Sequence, residues 1–259
     1  MINLMTYNIR YDNPADGVNV WANRKEAVAK LIKTKSVHVL GVQEALYQQV
    51  IDLQQTLPHF DWVGVGRDNG GQHGEFMAIF YDKDALELIE HGHFWLSETP
   101  HIAGSCAWET ACPRMVTWAK LKEKQTEQVF YHFNTHLDHK SRQARRESIY
   151  LLNKKISEIA GQTRAILTGD FNLTPKEAEY TLLTDYFTDL RTKFPEKNFN
   201  NSTFNNFGQQ GVSGMTIDFI FAHLSRYLVC HSFDILENKY NNRFPSDHFP
   251  LLVTLEFIY

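Results

Sequence analysis

The sequence predicts a mixed α/β domain in which two sheets pack face to face and helices lie outside them. Ten short apolar runs rich in β-branched and aromatic residues have the length and composition of strands. Four further segments repeat apolar residues at helical spacing. Some strand segments follow one another directly, which favours antiparallel pairing, and others are separated by helices, which permits parallel pairing. This mixture of connections suits two layered sheets.

The predicted strands are spread along the whole chain. Their sequences are INLMTYN (2–8), VHVLGVQE (37–44), FDWVGVG (60–66), FMAIFY (76–81), MVTWAKL (115–121), QVFYHFNTH (128–136), AILTGDFN (165–172), TIDFIFA (216–222), LVCHSF (228–233) and PLLVTLEF (250–257). No long linker, fixed-period repeat or low-complexity stretch interrupts them. We therefore expect residues 1–259 to form a single domain.

The predicted helices lie between these strands, at residues 24–35, 45–57, 141–161 and 174–183. The third begins at Ser141, a residue type that favours the N-cap, and ends at Gly161, a type that favours the C-terminus. In the fourth, Thr174 and Glu177 have the spacing of a capping box, and Pro175 occupies the first helical position.

Composition and charge narrow the classes of function. The chain has 259 residues, of which 43% are hydrophobic, and its net charge is −4. This charge argues against coating nucleic acid or an anionic membrane by electrostatics alone. It does not exclude an enzyme that acts on phosphodiesters, because a bound divalent cation supplies positive charge locally.

The sequence also indicates where the protein is located and whether its cysteines are oxidised. No apolar run approaches the roughly 18 residues that span a bilayer, and the N-terminus lacks a basic region, so we expect a cytoplasmic protein without stable membrane association. The cysteines Cys106, Cys112 and Cys230 form no C-x-x-C pair. A Cys106–Cys112 bridge is conceivable, but reduced thiols are the expected state of an intracellular protein.

The stretch AILTGDFNLTPKE places an acid and an amide at the end of an apolar run. Residues i and i+2 of a strand share a face, so Asp170 and Asn172 should project together. A polar turn that caps the next helix would explain such a pair equally well when it stands alone.

Other strand ends carry residues of the same kind. Asn8, Glu44, His136, Asp218, and the pair Asp247 and His248 lie within or just beyond predicted strands. Alternation places Glu44 on the face of Leu40 and Val42. Each residue also has a structural explanation: a turn for Asn8, Asp247 and His248, helix N-terminal charge for Glu44, and a satisfied interior histidine for His136. Asp218 is harder to explain, because a buried acid needs a partner.

These motifs, in this order, resemble the endonuclease/exonuclease/phosphatase superfamily of metal-dependent phosphoesterases. The resemblance is carried by TYNIRYDN, GVQEA, GVGRDNGGQHGEF, ACPRMVTWA, NTHLDH, GDFN, TIDFIF and SDHFPL and runs nearly end to end. It implies a four-layer α/β/β/α sandwich with two central mixed, mostly antiparallel sheets. It also implies hydrolysis of a phosphodiester or phosphomonoester by in-line attack of water.

The resemblance implies a role for each matched residue. Glu44 and Asp247, with Asn8, match the metal site, and oxygen ligands suit Mg²⁺ or Mn²⁺. Asp170 matches the residue that orients or deprotonates the attacking water. The remaining catalytic positions flank the water and the phosphate; they are Asn8, Asn172, His136, His248, and Asp218 as the acid that fixes the tautomer of His248.

Residues outside these motifs are open to two interpretations. Arg10 and Arg114 could bind an outer phosphate or carboxylate of the substrate, or could form structural ion pairs. Asp138 and His139 follow His136 closely and could support it. The function of Glu75, in a glycine-rich loop, stays undecided between a structural and a functional role.

The expected partner is a phosphate-ester substrate, either a small molecule or a nucleic acid. Two alternatives to a general phosphoesterase remain at this point: a non-catalytic binding module on the same scaffold, and a nuclease or deadenylase-type enzyme specific for nucleic acid. The first alternative predicts the loss of some chemical groups, yet Glu44, Asp170, Asn172, Asp247 and His248 are all present.

Overall fold

The computed structural model describes residues 1–195, 202–209, 214–223 and 225–258. Over these residues the strands are β1 Ile2–Asn8, β2 Val39–Gln43, β3 Phe60–Val63, β4 Ile79–Asp82, β5 Leu86–Trp95, β6 Met115–Glu123, β7 Val129–His136, β8 Ala165–Asp170, β9 Thr188–Asp189, β10 Asp218–His223, β11 Leu228–Ile235 and β12 Leu251–Phe257. The α-helices are α1 Trp21–Thr34, α2 Tyr47–Thr56, α3 Arg142–Ala160 and α4 Ala178–Thr184. Among the described residues, no helix is both long and apolar enough to cross a membrane.

The strands form two six-stranded sheets. Sheet 1 has the order β11-β12-β1-β2-β4-β3, and sheet 2 has the order β5-β6-β7-β8-β10-β9. Each sheet contains one parallel pair, β1 with β2 and β7 with β8, and the other pairs are antiparallel. Apolar residues of α1 and α2 pack on sheet 1, those of α3 and α4 pack on sheet 2, and a third cluster fills the space between the sheets. The predicted four-layer sandwich with two mixed, mostly antiparallel sheets is confirmed.

The side chains between the two sheets change character along the strands. We call Leu4, Val39, Phe130 and Ile166 the apolar layer; all four are fully buried between the sheets. Farther along the same strands lie the equally buried Thr6, Gln43, Asn134 and Thr168, which we call the polar layer. One or two residues beyond the polar layer, each of these strands reaches a residue of the predicted site. These four residues are Asn8, Glu44, His136 and Asp170.

Two strands, one of ten residues and one of two, were not predicted from the sequence. The strand β5 is an edge strand with several exposed positions and a bulge between Leu88 and Glu90, and its sequence LELIEHGHFW mixes charged residues with apolar ones. Edge strands carry charge that discourages pairing with other chains, and this charge hides the strand pattern. The strand β9 has only two residues and ends the same sheet.

The predicted start of the fourth helix at Thr174 was wrong. The helix α4 begins at Ala178, because the backbone of Glu177 is extended (φ −87°, ψ 145°) and cannot belong to a helix. The Glu177 carboxylate does accept a hydrogen bond from the Thr174 N–H at 2.8 Å, so the paired residues exist but close a turn before the helix. By contrast, the predicted Ser141 cap of α3 is confirmed, since its side chain accepts from the Ala144 N–H.

Candidate active site

The predicted site residues converge on one cavity of about 550 Å³ at the end of the sandwich where the polar layer lies. Its lining includes Arg10, Glu44, Arg114, His136, Asp170, Asn172, Asp247 and His248. Asn8 and Asp218 are absent from the lining and are almost fully buried beneath it. They contact the cavity residues through hydrogen bonds. Residues from the first strand and from the last loop therefore meet at one place.

Asp170 lies at the centre of the contacts. Its Oδ2 accepts a hydrogen bond from Asn8 Nδ2 at 3.0 Å and lies 3.5 Å from His136 Nε2 and 3.8 Å from His248 Nε2. Its Oδ1 accepts from the Asn172 N–H at 3.0 Å. Burial, and then the nearby carboxylate of Asp218, raise the pKa of Asp170 above its usual range. A carboxyl group with a raised pKa is well suited to accept a proton near neutral pH.

Glu44 reaches the cavity through an unusual backbone conformation. The strand β2 ends at Gln43, and Glu44 has φ of +63°. Leu40 and Val42 pack in the cluster shared with α1 and α2, whereas Glu44 lies in the cavity and accepts from Asn8 Nδ2 at 2.9 Å. The predicted sharing of a face with Leu40 and Val42 was therefore wrong, because the left-handed backbone breaks the strand alternation.

Asn172, like Glu44, reaches the cavity through a left-handed backbone conformation. Its φ is +49°, so it is not a continuation of the strand β8, which ends at Asp170. Its side-chain amide donates to the Leu137 carbonyl at 3.0 Å and lies 2.9 Å from His136 Nε2. Arg10 also has positive φ, at +57°. Three residues of the cavity thus sit in a conformation that is costly for residues other than glycine, and such conformations cluster at functional sites.

The two histidines of the site differ in their electrostatic surroundings. Burial alone would lower the pKa of His248, but Asp218, whose Oδ2 lies 2.9 Å from Nδ1, and the nearby Asp170 and Asp247 raise it instead. Burial, with the positive charges of Arg114 and Arg67 nearby, lowers the pKa of His136 well below its usual range. His248 is therefore a charged hydrogen-bond donor and His136 a neutral imidazole.

Hydrogen bonds join the loop that carries Asp247 to the first strand. The neighbouring Ser246 hydroxyl donates to the Asn8 carbonyl at 2.7 Å, and the Asp247 carbonyl accepts from the Asn205 N–H at 2.7 Å. Its carboxylate lies 3.8 Å from Arg10 Nε. Arg10 itself forms two hydrogen bonds with Asp16, at 2.9 and 3.0 Å, so its guanidinium is held beside the cavity by a structural ion pair. The structural ion pair foreseen for Arg10 is therefore present, and binding of a substrate group by Arg10 stays a prediction.

Arg114 is buried near His136, whose pKa is lowered by burial and then by the charge of Arg114. Its NH2 lies 2.9 Å from His139 Nδ1, and its Nε lies 3.5 Å from Asp138 Oδ1. Asp138 accepts hydrogen bonds from the backbone of Ala111, Lys140 and Ser141, and although burial opposes it, these bonds lower its pKa to about 2. Asp138 makes no direct hydrogen bond to His136 among the described residues, and its support of His136 stays a prediction that would act through Arg114.

Arg24 was not predicted from the sequence to take part in building the site. It is 3% exposed, and its guanidinium donates to the carbonyls of Ile9, Arg10 and Pro245 at 2.8 to 3.0 Å. These contacts join the loop after β1 to the loop that carries Asp247. The available signal was an arginine at the helical spacing of Trp21 and Val28, on the buried face of α1.

The donor set of the cavity fits a hard divalent cation. Glu44, Asp170 and His248 bring one potential ligand atom each within 4.8 Å of one another. Because His248 is charged and its nitrogens carry protons, the two carboxylates are the members of this group that can bind a cation. Burial and then the negative charge of Glu44 contribute to a raised pKa of Asp247, so carboxylates crowd together here. A cation bound among carboxylate oxygens would relieve this repulsion, and oxygen donors are the ligands that Mg²⁺ and Mn²⁺ prefer.

A four-layer sandwich with clustered acids, amides and imidazoles at one end defines a class of phosphoesterases. The sequence profile of the Endonuclease/Exonuclease/phosphatase family matches residues 5–248 of this chain. The chain belongs to this family, whose members are hydrolases that include phosphatases and nucleases and usually use divalent metal ions.

Solved structures and a curated relative agree with this assignment. A mannosyl-6-phosphatase of Bacteroides thetaiotaomicron is 34% identical, with a TM-score of 0.92 over 99% of this chain and 100% of that chain. An endonuclease/exonuclease/phosphatase of Bacteroides vulgatus is 37% identical, with a TM-score of 0.90 over 99% of this chain and 98% of that chain. An uncharacterised protein of Acanthamoeba polyphaga mimivirus is 27% identical over 253 residues, which cover 91% of this chain and 92% of that protein.

Proposed function

We propose that this chain is a divalent-metal-dependent phosphoesterase that hydrolyses a phosphorylated sugar or a similar small phosphate ester. The observation that carries the proposal is the position of Asp170, which lies between His136 and His248 and within reach of Glu44. The 34% identity to a mannosyl-6-phosphatase supports a sugar phosphate as the substrate. The modest cavity and the net charge of −4 support a small molecule over a long polyanion.

In the proposed reaction, Asp170 takes a proton from water as the water oxygen attacks phosphorus. The hydrogen bonds from Asn8 and Asn172 hold the two carboxylate oxygens of Asp170 in a fixed orientation. The ester bond opposite the attacking oxygen breaks, the leaving oxygen takes up a proton from solvent, and Asp170 returns its proton to solvent. The products are an alcohol and phosphate. Because the pKa of Asp170 is raised by burial and by Asp218, it can accept the proton near neutral pH.

His248 is placed to bind the phosphate while this charge develops. Its Nδ1 pairs with Asp218, so its Nε2–H is the donor that faces Asp170 and the cavity. Donors fixed before the reaction stabilise a developing negative charge without reorganising. We assign the metal to Glu44, Asp247 and Asn8, and a bound Mg²⁺ or Mn²⁺ would supply further positive charge to the phosphate oxygens.

The test is an activity panel with Mg²⁺, Mn²⁺ or EDTA. The panel contains hexose 6-phosphates, inositol phosphates, p-nitrophenyl phosphate and its bis-ester, sphingomyelin, poly(A), and single- and double-stranded DNA. We expect hydrolysis of a sugar phosphate that EDTA abolishes and Mg²⁺ restores. We expect Glu44→Gln to lose at least about 100-fold in kcat/KM, since it removes a charge from the metal site. Glu90→Gln, at an exposed position, is the matched control.

Two results would contradict the proposal. Activity that resists EDTA and survives in Glu44→Gln would exclude the metal-dependent mechanism. Rapid cleavage of poly(A) or DNA with no cleavage of small esters would establish the nuclease alternative instead.

A further inference from the structure

The side of the cavity next to His136 carries polar groups that the proposed reaction does not use. Arg67 NH1 lies 2.6 Å from Glu75 Oε2, and the same carboxylate oxygen lies 3.9 Å from His136 Nδ1. Arg114 lines this side as well. We call Arg67, Glu75 and Arg114 the His136 corner.

The His136 corner has donors to spare. Among the described residues, Arg67 Nε, Arg114 Nε and Arg114 Nη1 are buried and make no hydrogen bond. Arg67 Nε lies 3.8 Å from Asp68 Oδ1 and Arg114 Nε lies 3.5 Å from Asp138 Oδ1, so both face a carboxylate without bonding to it. A buried donor without a partner carries a desolvation cost of roughly 1–3 kcal/mol. Binding of a ligand that brings oxygen acceptors would remove part of this cost, so these donors favour a ligand rich in hydroxyl or other oxygen groups.

The charge of the His136 corner selects between two kinds of oxygen ligand. Each guanidinium already faces a carboxylate, Glu75 for Arg67 at 2.6 Å and Asp138 for Arg114 at 3.5 Å. The corner is therefore close to neutral and offers both donors and an acceptor. Burial, and then the negative charge of Glu44, raise the pKa of Glu75, so Glu75 repels a second phosphate only where it is ionised. A hydroxyl group can donate to the Glu75 carboxyl group and accept from a guanidinium in either state.

The rest of the cavity lining includes three apolar side chains alongside polar ones such as Arg10, Asn206 and Asp247. The Phe204 ring centroid lies 5.0 Å from that of His248, and Met215 and Ile217 also line the cavity. The backbone N–H of Phe204 donates to the Met215 carbonyl at 3.2 Å, so these two residues lie together. A ligand that spans the cavity would meet a polar corner beside His136 and apolar side chains beside His248. A sugar ring has this combination of a hydroxyl edge and a C–H face.

We propose that the His136 corner is a hydroxyl-binding subsite that selects a sugar or related polyol as the leaving group. This inference rests on the proposed phosphoesterase function and names residues that determine its substrate. Sites that hydrogen-bond a substrate hydroxyl discriminate strongly against analogues that lack it, because the site's own polar groups are then left unpaired. Arg67 and Glu75 should thus matter for a sugar phosphate and far less for an alkyl phosphate.

The test is a cycle that crosses two enzymes with two substrates. We would measure kcat/KM of the Mg²⁺-loaded wild-type enzyme and of Arg67→Met for a hexose 6-phosphate and for n-hexyl phosphate, which has no hydroxyl groups. We expect the wild-type enzyme to prefer the sugar by at least about 30-fold and Arg67→Met to lose at least about tenfold of that preference. Arg67→Lys, which keeps a donor, should retain part of it. Arg146→Met, at an exposed arginine of α3, is the control.

The outcomes separate the two proposals. If the wild-type enzyme hydrolyses p-nitrophenyl phosphate but Arg67→Met and Glu75→Gln keep the full preference for sugar over hexyl phosphate, the subsite is wrong and the phosphoesterase function stands. A wild-type preference for a sugar bisphosphate over the monophosphate would also overturn the subsite, in favour of a second anion. If no phosphate ester is hydrolysed with any metal, both proposals fail. Circular dichroism of each variant excludes loss of fold as the cause.

Discussion

The space between the two sheets is filled in two different ways. The apolar layer packs by van der Waals contacts within its cluster, as between Phe130 of the layer and the neighbouring Phe257, whose ring centroids are 4.6 Å apart. In the polar layer, Gln43 Nε2 of sheet 1 donates to Asn134 Oδ1 of sheet 2 at 2.6 Å. Asn134 Nδ2 in turn donates to the carbonyls of Val42 and Ala78 at 2.8 and 3.0 Å. The same strands therefore provide both kinds of contact.

The two layers therefore have different roles. The apolar layer contributes stability, and the polar layer fixes the position of one sheet relative to the other. Apolar contacts are non-directional, so the apolar layer contributes free energy but tolerates small shifts between the sheets. Hydrogen bonds between buried side chains are directional, and each broken one leaves an unpaired group. The polar layer lies directly beneath Glu44 of sheet 1 and Asp170 of sheet 2, so its bonds fix how these two carboxylates face each other. The two sheets also lie close together at this level, because a Cβ on Gly41 would come within 2.6 Å of Thr168 Oγ1.

The largest effect on stability is expected in the apolar layer. Phe130→Ala should lower the free energy of unfolding by about 3–5 kcal/mol, because it removes a fully buried ring and leaves a cavity. Urea unfolding followed by circular dichroism measures this loss. At a temperature where the variant remains folded, kcat should stay within about threefold of the wild type. A large loss of kcat in the folded variant would break the distinction between the two layers.

A smaller stability cost with a larger catalytic cost is expected in the polar layer. Asn134→Leu keeps the volume but removes the acceptor of Gln43 Nε2 and the donor to the carbonyls of Val42 and Ala78. Gln43 Nε2 retains its bond to Thr6 Oγ1, and the Ala78 carbonyl retains the Val42 N–H, so unfolding should become easier by about 1–3 kcal/mol. We expect kcat to fall by about 10- to 100-fold with little change in KM, because small misplacements of catalytic groups are costly. Asn134→Asp, which keeps one acceptor, should recover part of the rate. An unchanged kcat in stably folded Asn134→Leu would show that the layer serves stability alone.

The smallest effect is a pH dependence that arises from His132. This histidine is fully buried, its Nε2 lies 2.8 Å from Thr168 Oγ1, and burial lowers its pKa to about 3. The unfolded chain binds a proton below the ordinary pKa of about 6.5 and the folded chain does not, so stability is lost as the pH falls. Between pH 7 and 5.5 this group should cost about 1 kcal/mol.

The check on His132 is the slope of the unfolding free energy against pH, measured for the wild type and for His132→Gln. The variant should lose stability less steeply over this interval, whatever its stability at pH 7. Identical slopes would mean that His132 is not the neutral buried group described here.

Much of the site could be predicted because strand alternation determines it. Asn8 and His136 project between the sheets as their strand positions require, and the ordered motifs located Asp170 and Asp218. The partner of Asp218, which no local residue could provide, is His248 from a loop 30 residues away.

Several of the wrong predictions share one physical cause. At these positions the backbone does not continue the regular conformation of the neighbouring strand or helix. Glu44 and Asn172 take positive φ just past their strands, and no simple pattern of residue types predicts that conformation for these side chains. The extended Glu177 delays α4 for a similar reason. Arg24 was missed because its partners are backbone carbonyls, which the sequence does not display.

The central step of the proposed reaction is the transfer of a proton from the attacking water to Asp170. The deciding measurement is the kcat/KM of Asp170→Asn for a hexose 6-phosphate in Mg²⁺, beside wild type and the exposed control Asp185→Asn. We expect a loss of at least about 10²- to 10⁴-fold in Asp170→Asn alone, with its thermal unfolding transition retained. Activity near that of the wild type in a folded Asp170→Asn would contradict the account.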